Sequence, residues 1–313
     1  MVSGGQNALN PLYALPRDCV PLCRGKNPVA PAGKWWYNSR NLVRAPRAGH
    51  AARGETMEQR ERPIGVFDSG LGGISVLRAC TALLPQEDFL FFGDSANAPY
   101  GEKSLEEVRQ LTIAAADRLL AQHVKAIVVA CNTATSAAIG LLRQAHPQLP
   151  IIGIEPAVKP AAQAQESSSV IVMATPLTIR EAKYQKLAAA FCHEANVISL
   201  PCKGLAEMVE RGIFDGPELD AYLQDLLLPF RYCTVDYIVL GCTHYPFIRR
   251  AIARNFGRPV AIIDGSDGTA RQLRRQLEGA GLLTTRTGRG KVVFHNSIPD
   301  KLAMCQTLFL MPY

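Results

Sequence analysis

Two of the nine cysteines, Cys131 and Cys242, have flanks that suit acid–base chemistry. Each closes an apolar run, residues 126–130 and 237–240, and each is followed by small polar residues, Asn132-Thr133 and Thr243-His244. A thiol between a strand and a helix sits at a helix N-terminus, which lowers its pKa from about 8.5 and favours the thiolate. Cys80, Cys192, Cys202, Cys233 and Cys305 lack such flanks and read as small buried hydrophobes. Asp68 and His244 are natural helpers, since a carboxylate or an imidazole can hold or shuttle a thiol proton. The turn Asp68-Ser69-Gly70-Leu71-Gly72-Gly73 is no phosphate loop, because no Lys-Ser/Thr follows it, and it does not fit GxGxxG in register. It reads as a tight turn through which backbone can approach a small carboxylate.

The elements that must position these residues are short apolar runs at 64–67, 89–92, 126–130, 151–154, 170–173, 197–200, 237–240 and 260–263. Between them, 104–122 and 178–190 show apolar residues at helical spacing. Strands this apolar, separated by helices, predict parallel sheets covered on both faces, an α/β fold. Ligands then gather at the carboxyl ends of the strands, where Asp68-Ser69, Gly93-Asp94-Ser95, Cys131-Asn132-Thr133 and Gly241-Cys242-Thr243-His244 fall. Helix starts at such junctions offer backbone N–H groups to anions. The runs also repeat. Ile64 corresponds to Val170, Cys131 to Cys242 and Glu155 to Asp264, at offsets of 106, 111 and 109. The reading is two pseudo-symmetric halves. If they face one another, the two thiols approach one bound molecule from opposite sides.

Hydrophobic content of 48% and charged content of 19% over 313 residues describe a globular chain with a substantial core. No apolar run approaches the roughly 20 residues of a membrane span, and no secretory signal opens the chain, so the expected compartment is the cytoplasm, with no membrane partner. The net charge of +7 suggests nucleic acid, but residues 1–62 hold ten Lys+Arg against four Asp+Glu, leaving 24 against 23 for the rest. A nearly neutral body does not read as a nucleic-acid binder. Residues 1–61, rich in proline and arginine and carrying both tryptophans, read as a disordered extension. They weakly resemble a transit peptide, or a stretch that an upstream start adds before a natural initiator at Met57. No CxxC pair or His/Cys cluster has metal-site spacing, so neither a metal nor a disulfide scaffold is expected.

Four strings in order, Phe67 to Gly73, Asp94 with Pro99-Tyr100-Gly101, Ala130 to Ala134, and Gly241-Cys242-Thr243-His244-Tyr245-Pro246, resemble the motif set of bacterial glutamate racemases, from about Ile64 to the C-terminal region. The resemblance implies two α/β domains, each a mostly parallel sheet flanked by helices, with the active site in the cleft between them. It implies that the C-terminal segment returns to the first domain, so that 62–154 and 265–313 form one and 155–264 the other. Cys131 and Cys242 would be proton donor and acceptor, assisted by Asp68, Glu155 and His244. Asp68, Ser69, Tyr100, Gly101, Asn132, Thr133, Thr243 and His244 would bind glutamate. The reaction implied is cofactor-independent interconversion of L- and D-glutamate, supplying D-glutamate for peptidoglycan. A homodimer, and contacts of the basic extension with DNA gyrase as a second role, remain open. So do a related aspartate or hydantoin racemase and a maleate isomerase using one cysteine as nucleophile. The histidine after Cys242-Thr243 resembles the glutamate enzymes, where aspartate racemases tend to carry an acid.

Overall fold

The structure is a computed structural model describing Val20–Pro21 and residues 58–312. Two five-stranded sheets carry the fold. β1 (Val20–Pro21) belongs to the second sheet; β2 (Ile64–Asp68), β3 (Phe89–Gly93), β4 (Ala126–Val129) and β5 (Ile151–Gly153) build the first. β6 (Ser168–Ala174), β7 (Ala195–Pro201), β8 (Tyr237–Leu240) and β9 (Ala261–Asp264) build the second, and β10 (Val292–Asn296) rejoins the first. The orders are β10-β3-β2-β4-β5 and β1-β7-β6-β8-β9. All pairs are parallel except β1 with β7. With β1 left aside, both sheets thus set their first four strands in the order second, first, third, fourth. Ile64 lies between Phe89 and Ala126 as Val170 lies between Val197 and Tyr237.

The central strands are apolar because both faces are covered: all five residues of β2 are buried, as are all four of β4. Helices Leu105–Leu120 and Asn132–Ala145 pack together on the first sheet, while Ser266–Ala280 lies along Ile74–Leu83. Ser104 caps the first of these through the N–H of Glu107. One apolar cluster runs through both halves, joining Ile74 and Leu77 to Leu240 and Tyr245. At the opposite end of the first sheet, Lys125 and Glu87 form a buried ion pair at 2.5 Å, with the Glu87 carboxylate also accepting from the N–H of Thr284.

Two expectations need correction. The helical stretch 178–190 is two helices, Pro176–Arg180 and Ala182–Ala190, because Glu181 takes an extended conformation between them. Cys242 opens no α-helix. It leads into a turn and the 3-10 segment Tyr245–Ile248, which carries Pro246 in its first turn, and the α-helix begins only at Arg249. Within the expected extension, Val20–Pro21 pair as a short antiparallel edge strand on β7. The rest of the expected disordered extension lies outside the described residues. Among the described residues, no helix is long and apolar enough to cross a membrane.

Candidate active site

The carboxyl ends of the central strands of the two sheets meet. β2 ends at Asp68, β4 delivers Cys131 as the N-cap of helix Asn132–Ala145, and β8 runs into Gly241-Cys242-Thr243-His244. The Thr243 hydroxyl donates to Asp68 Oδ1 at 3.0 Å, and Ser75 donates to the Thr243 carbonyl at 3.0 Å. The glycine-rich turn has to be bare for this approach. A Cβ on Gly72 would lie 2.6 Å from His244 Nδ1, and one on Gly70 would lie 2.0 Å from Glu210 Oε1. A carboxylate does dock on that turn, and it is the protein's own: the Leu71 N–H donates to Glu210.

The two thiols have opposite surroundings. Burial pushes Cys131 up to about 12, and the nearby Asp68 and Cys242 push in the same direction. Hydrogen bonds from Ser69 and from the Ala134 N–H, 3.4 Å from the sulfur, only partly offset this. The expected lowering at the helix start is therefore outweighed by desolvation, and at neutral pH Cys131 carries its proton. Asp68, fully buried, is itself raised by desolvation, against the pull of His244, the Gly70 N–H and Thr243. Cys242 faces a cation instead. Its sulfur lies 3.6 Å from His244 Nδ1, and His244 Nε2 lies 2.7 Å from Glu210 Oε1. Burial alone would lower the His244 pKa, but its contacts with Cys242 and Glu210 raise it well above the usual value. That direction favours the protonated ring, with Nδ1 facing Cys242 and Nε2 facing Glu210. Burial also works against the Glu210 charge, yet His244, Lys301 and the Leu71 N–H hold its carboxyl at about 2.

Further polar groups lie beside Cys131 in the sequence and around it. Both polar atoms of the Asn132 side chain are buried and unbonded. Buried amides in folded proteins are normally satisfied, so this one points to a ligand with donors and acceptors of its own. The Thr133 hydroxyl lies 3.0 Å from each of the Thr175 and Thr178 hydroxyls, which come from the second half. Tyr100 donates to Asp94 Oδ2 at 2.8 Å, and burial followed by the Asp94 charge raises its pKa. Gly101 packs against Thr175 closely enough that a Cβ would lie 2.6 Å from it.

Of the residues picked from sequence, Asp68, Ser69, Tyr100, Gly101, Cys131, Asn132, Thr133, Cys242, Thr243 and His244 converge here. Glu155 does not. It is exposed and ion-paired to Lys183, because it follows β5, the outermost strand of its sheet. The acid on His244 is Glu210, which the sequence reading missed; it ends helix Leu205–Glu210 and has no motif around it. Thr175 was missed as well, although it stands at the 106-residue offset from Ser69.

The Asp/Glu/Hydantoin racemase family model matches residues 64–273. Curated relatives include a glutamate racemase of Clostridium botulinum (strain Alaska E43), 47% identical over 241 residues, which are 77% of this chain and 93% of that protein. Another, from Clostridium novyi, is 49% identical over 78% of this chain and 94% of its own length. Among solved structures, the Francisella tularensis glutamate racemase in complex with D-glutamate matches with a TM-score of 0.70 and 32% identity, over 80% of this chain and 94% of that one. The Escherichia coli glutamate racemase, solved with L-glutamate and the activator UDP-MurNAc-Ala, matches with a TM-score of 0.69 and 28% identity, over 79% and 95%. In sequence and in overall shape, the chain belongs to the Asp/Glu/hydantoin racemase family of isomerases.

Proposed function

We propose that the protein racemises glutamate by two-base proton transfer between Cys131 and Cys242. The observation that carries this reading is a pair of buried thiols, one beside the Asp68 carboxylate and one beside the His244 imidazole, with the unsatisfied Asn132 amide at the same site. Glutamate is the substrate of the relatives that the chain matches along most of their length. In one direction the Cys242 sulfur, as thiolate, takes the α-proton, and the Cys131 S–H delivers its own proton to the opposite face of the carbanion. The reverse reaction exchanges these roles, and atoms and charges balance in both.

An α-proton next to a carboxylate is very weakly acidic, so pre-positioning and preorganised donors must supply much of the barrier reduction. Asn132, Thr133 and Thr243, joined by Ser69, Thr175 and Thr178, are the groups suited to the substrate's carboxylates and ammonium. Asp68 serves the Cys131 side, and His244 with Glu210 serves the Cys242 side. Residues 62–154 with 265–313 act as one domain and 155–264 as the other, closing on the substrate between them. The product D-glutamate would supply peptidoglycan building in the cytoplasm.

The test is purified protein with L-glutamate and no added cofactor, followed by circular dichroism or chiral chromatography, with L-aspartate in parallel. Loss of optical rotation with glutamate and not with aspartate is expected. Faster racemisation of aspartate, or none of either, would overturn the assignment.

A further inference from the structure

We infer that Lys301 is a positioning residue for the Cys242 side of the site, holding Glu210 in place from across the two halves; this rests on the racemase reading above. Glu210 ends a helix of the second half, and its side chain is 8% exposed. Lys301 ends the turn Pro299–Lys301, which follows β10 of the first sheet. Its ammonium donates to Glu210 Oε2 at 2.6 Å and to the Glu210 backbone carbonyl at 2.9 Å, gripping side chain and main chain together. The other carboxylate oxygen receives His244 Nε2 at 2.7 Å. One carboxylate therefore has a cation on each oxygen, and only one of those cations belongs to the half that carries Cys242.

The remaining donors to Glu210 are neutral: the Leu71 N–H, and the Ser95 hydroxyl at 3.4 Å. Ser95 is steadied in turn by Asn296 Nδ2 at 3.0 Å, from the end of β10. Among the described residues, the other titratable groups within electrostatic reach are Asp68 at the end of β2, Cys305 on the last helix and, through His244, Cys242 and Glu207, the latter on the same helix as Glu210. None is a cation. Without Lys301, the carboxylate keeps His244 as its single cationic partner while still facing Asp68, and its second oxygen loses its fixed direction. Imidazole orientation at the Cys242 sulfur depends on that carboxylate, so Lys301 ties proton transfer to closure of the two halves. Most of the chain that forms the site precedes residue 245, and Lys301 completes it from the C-terminal return.

The test uses the full chain. In Lys301→Met, kcat should fall about 10- to 100-fold with KM changed by less than about twofold, the pattern of a misaligned proton-transfer group. Lys301→Arg, which restores a cation, should recover kcat to within about threefold of wild type. Because Lys301 acts through Glu210, the double variant Glu210→Gln/Lys301→Met should be no slower than Glu210→Gln alone. Should Lys301→Met fail to fold by thermal melt, Lys301→Gln carries the same expectation. A kcat near wild type in the uncharged variant, failure of the arginine to rescue, or additive losses in the double variant would each overturn the inference. Wild-type protein that leaves glutamate unracemised would overturn the racemase reading, and this inference with it.

Discussion

Glu210→Gln keeps the shape of the side chain and removes its charge from a buried site. The wild-type carboxyl is held at about 2 against an ordinary 4.5, despite burial. At about 1.4 kcal/mol per unit, that shift corresponds to roughly 3 kcal/mol of folding stability at neutral pH. A carboxyl whose folded pKa is depressed contributes stability that is present above its unfolded pKa and is lost as pH falls through its folded pKa. The deficit of the variant should therefore be largest at pH 7 and about half as large near pH 3. His244 works in the opposite sense. Its raised folded pKa contributes stability below its unfolded value that is lost as pH rises through the folded one, and the variant weakens this too. The variant also weakens a charge-assisted hydrogen bond to the imidazolium, worth about 1.5–3 kcal/mol, which corresponds to roughly a 10- to 150-fold loss in kcat. Urea unfolding of both proteins at pH 7 and pH 3, with kcat at pH 7, measures each quantity. A stability loss below about 1 kcal/mol, or one equal at both pH values, would refute the charge network as described.

Asn132→Ala should cost little stability, because the amide has no protein partner, but should lower kcat/KM for glutamate about 10-fold or more; a melting point several degrees lower with kcat/KM intact would assign the amide to the fold instead. Glu155→Gln should leave turnover near wild type, since the side chain is exposed and paired to Lys183, and a loss above about 10-fold would return it to the site. Lys125→Met strands the Glu87 carboxylate in the core and should cost about 3–5 kcal/mol by urea unfolding; a neutral result would mean that water reaches the pair.

The eight apolar runs read from sequence are β2 to β9; six of these are inner strands, whose two covered faces leave a continuous apolar trace, while β5 and β9 lie at sheet edges. β10 left no such trace. It lies at a sheet edge, and its residues alternate between half-buried and exposed, so Val292–Asn296 passes for loop. The repeat at nearly constant offset predicted equivalent strands correctly, but equivalence of strands is not equivalence of chemistry. β5 and β9 are both outer strands, so Glu155 ends beside Lys183 and Asp264 beside Arg249, away from the middle where β2, β4 and β8 meet. The motif residues were legible because strand ends announce them. Glu210 was not, since it reaches His244 from a helix whose sequence looks like any amphipathic turn, and only the packing of that helix on the glycine-rich turn gives it a role. The lowered thiol pKa expected at a helix start failed for a similar reason: burial is a tertiary property, and at Cys131 it dominates.

Two thiols on opposite faces of one carbon are tested most directly by isotope. In deuterated water, L-glutamate is incubated with the protein and sampled early by mass spectrometry after chiral separation. The D-glutamate formed should carry deuterium at the α-carbon, delivered by the thiol that exchanges with solvent. The remaining L-glutamate should stay largely protiated, because the thiol that removed its proton returns that same proton. Early D-glutamate that retains protium, or racemisation that survives Cys131→Ala or Cys242→Ala, would contradict the two-thiol mechanism.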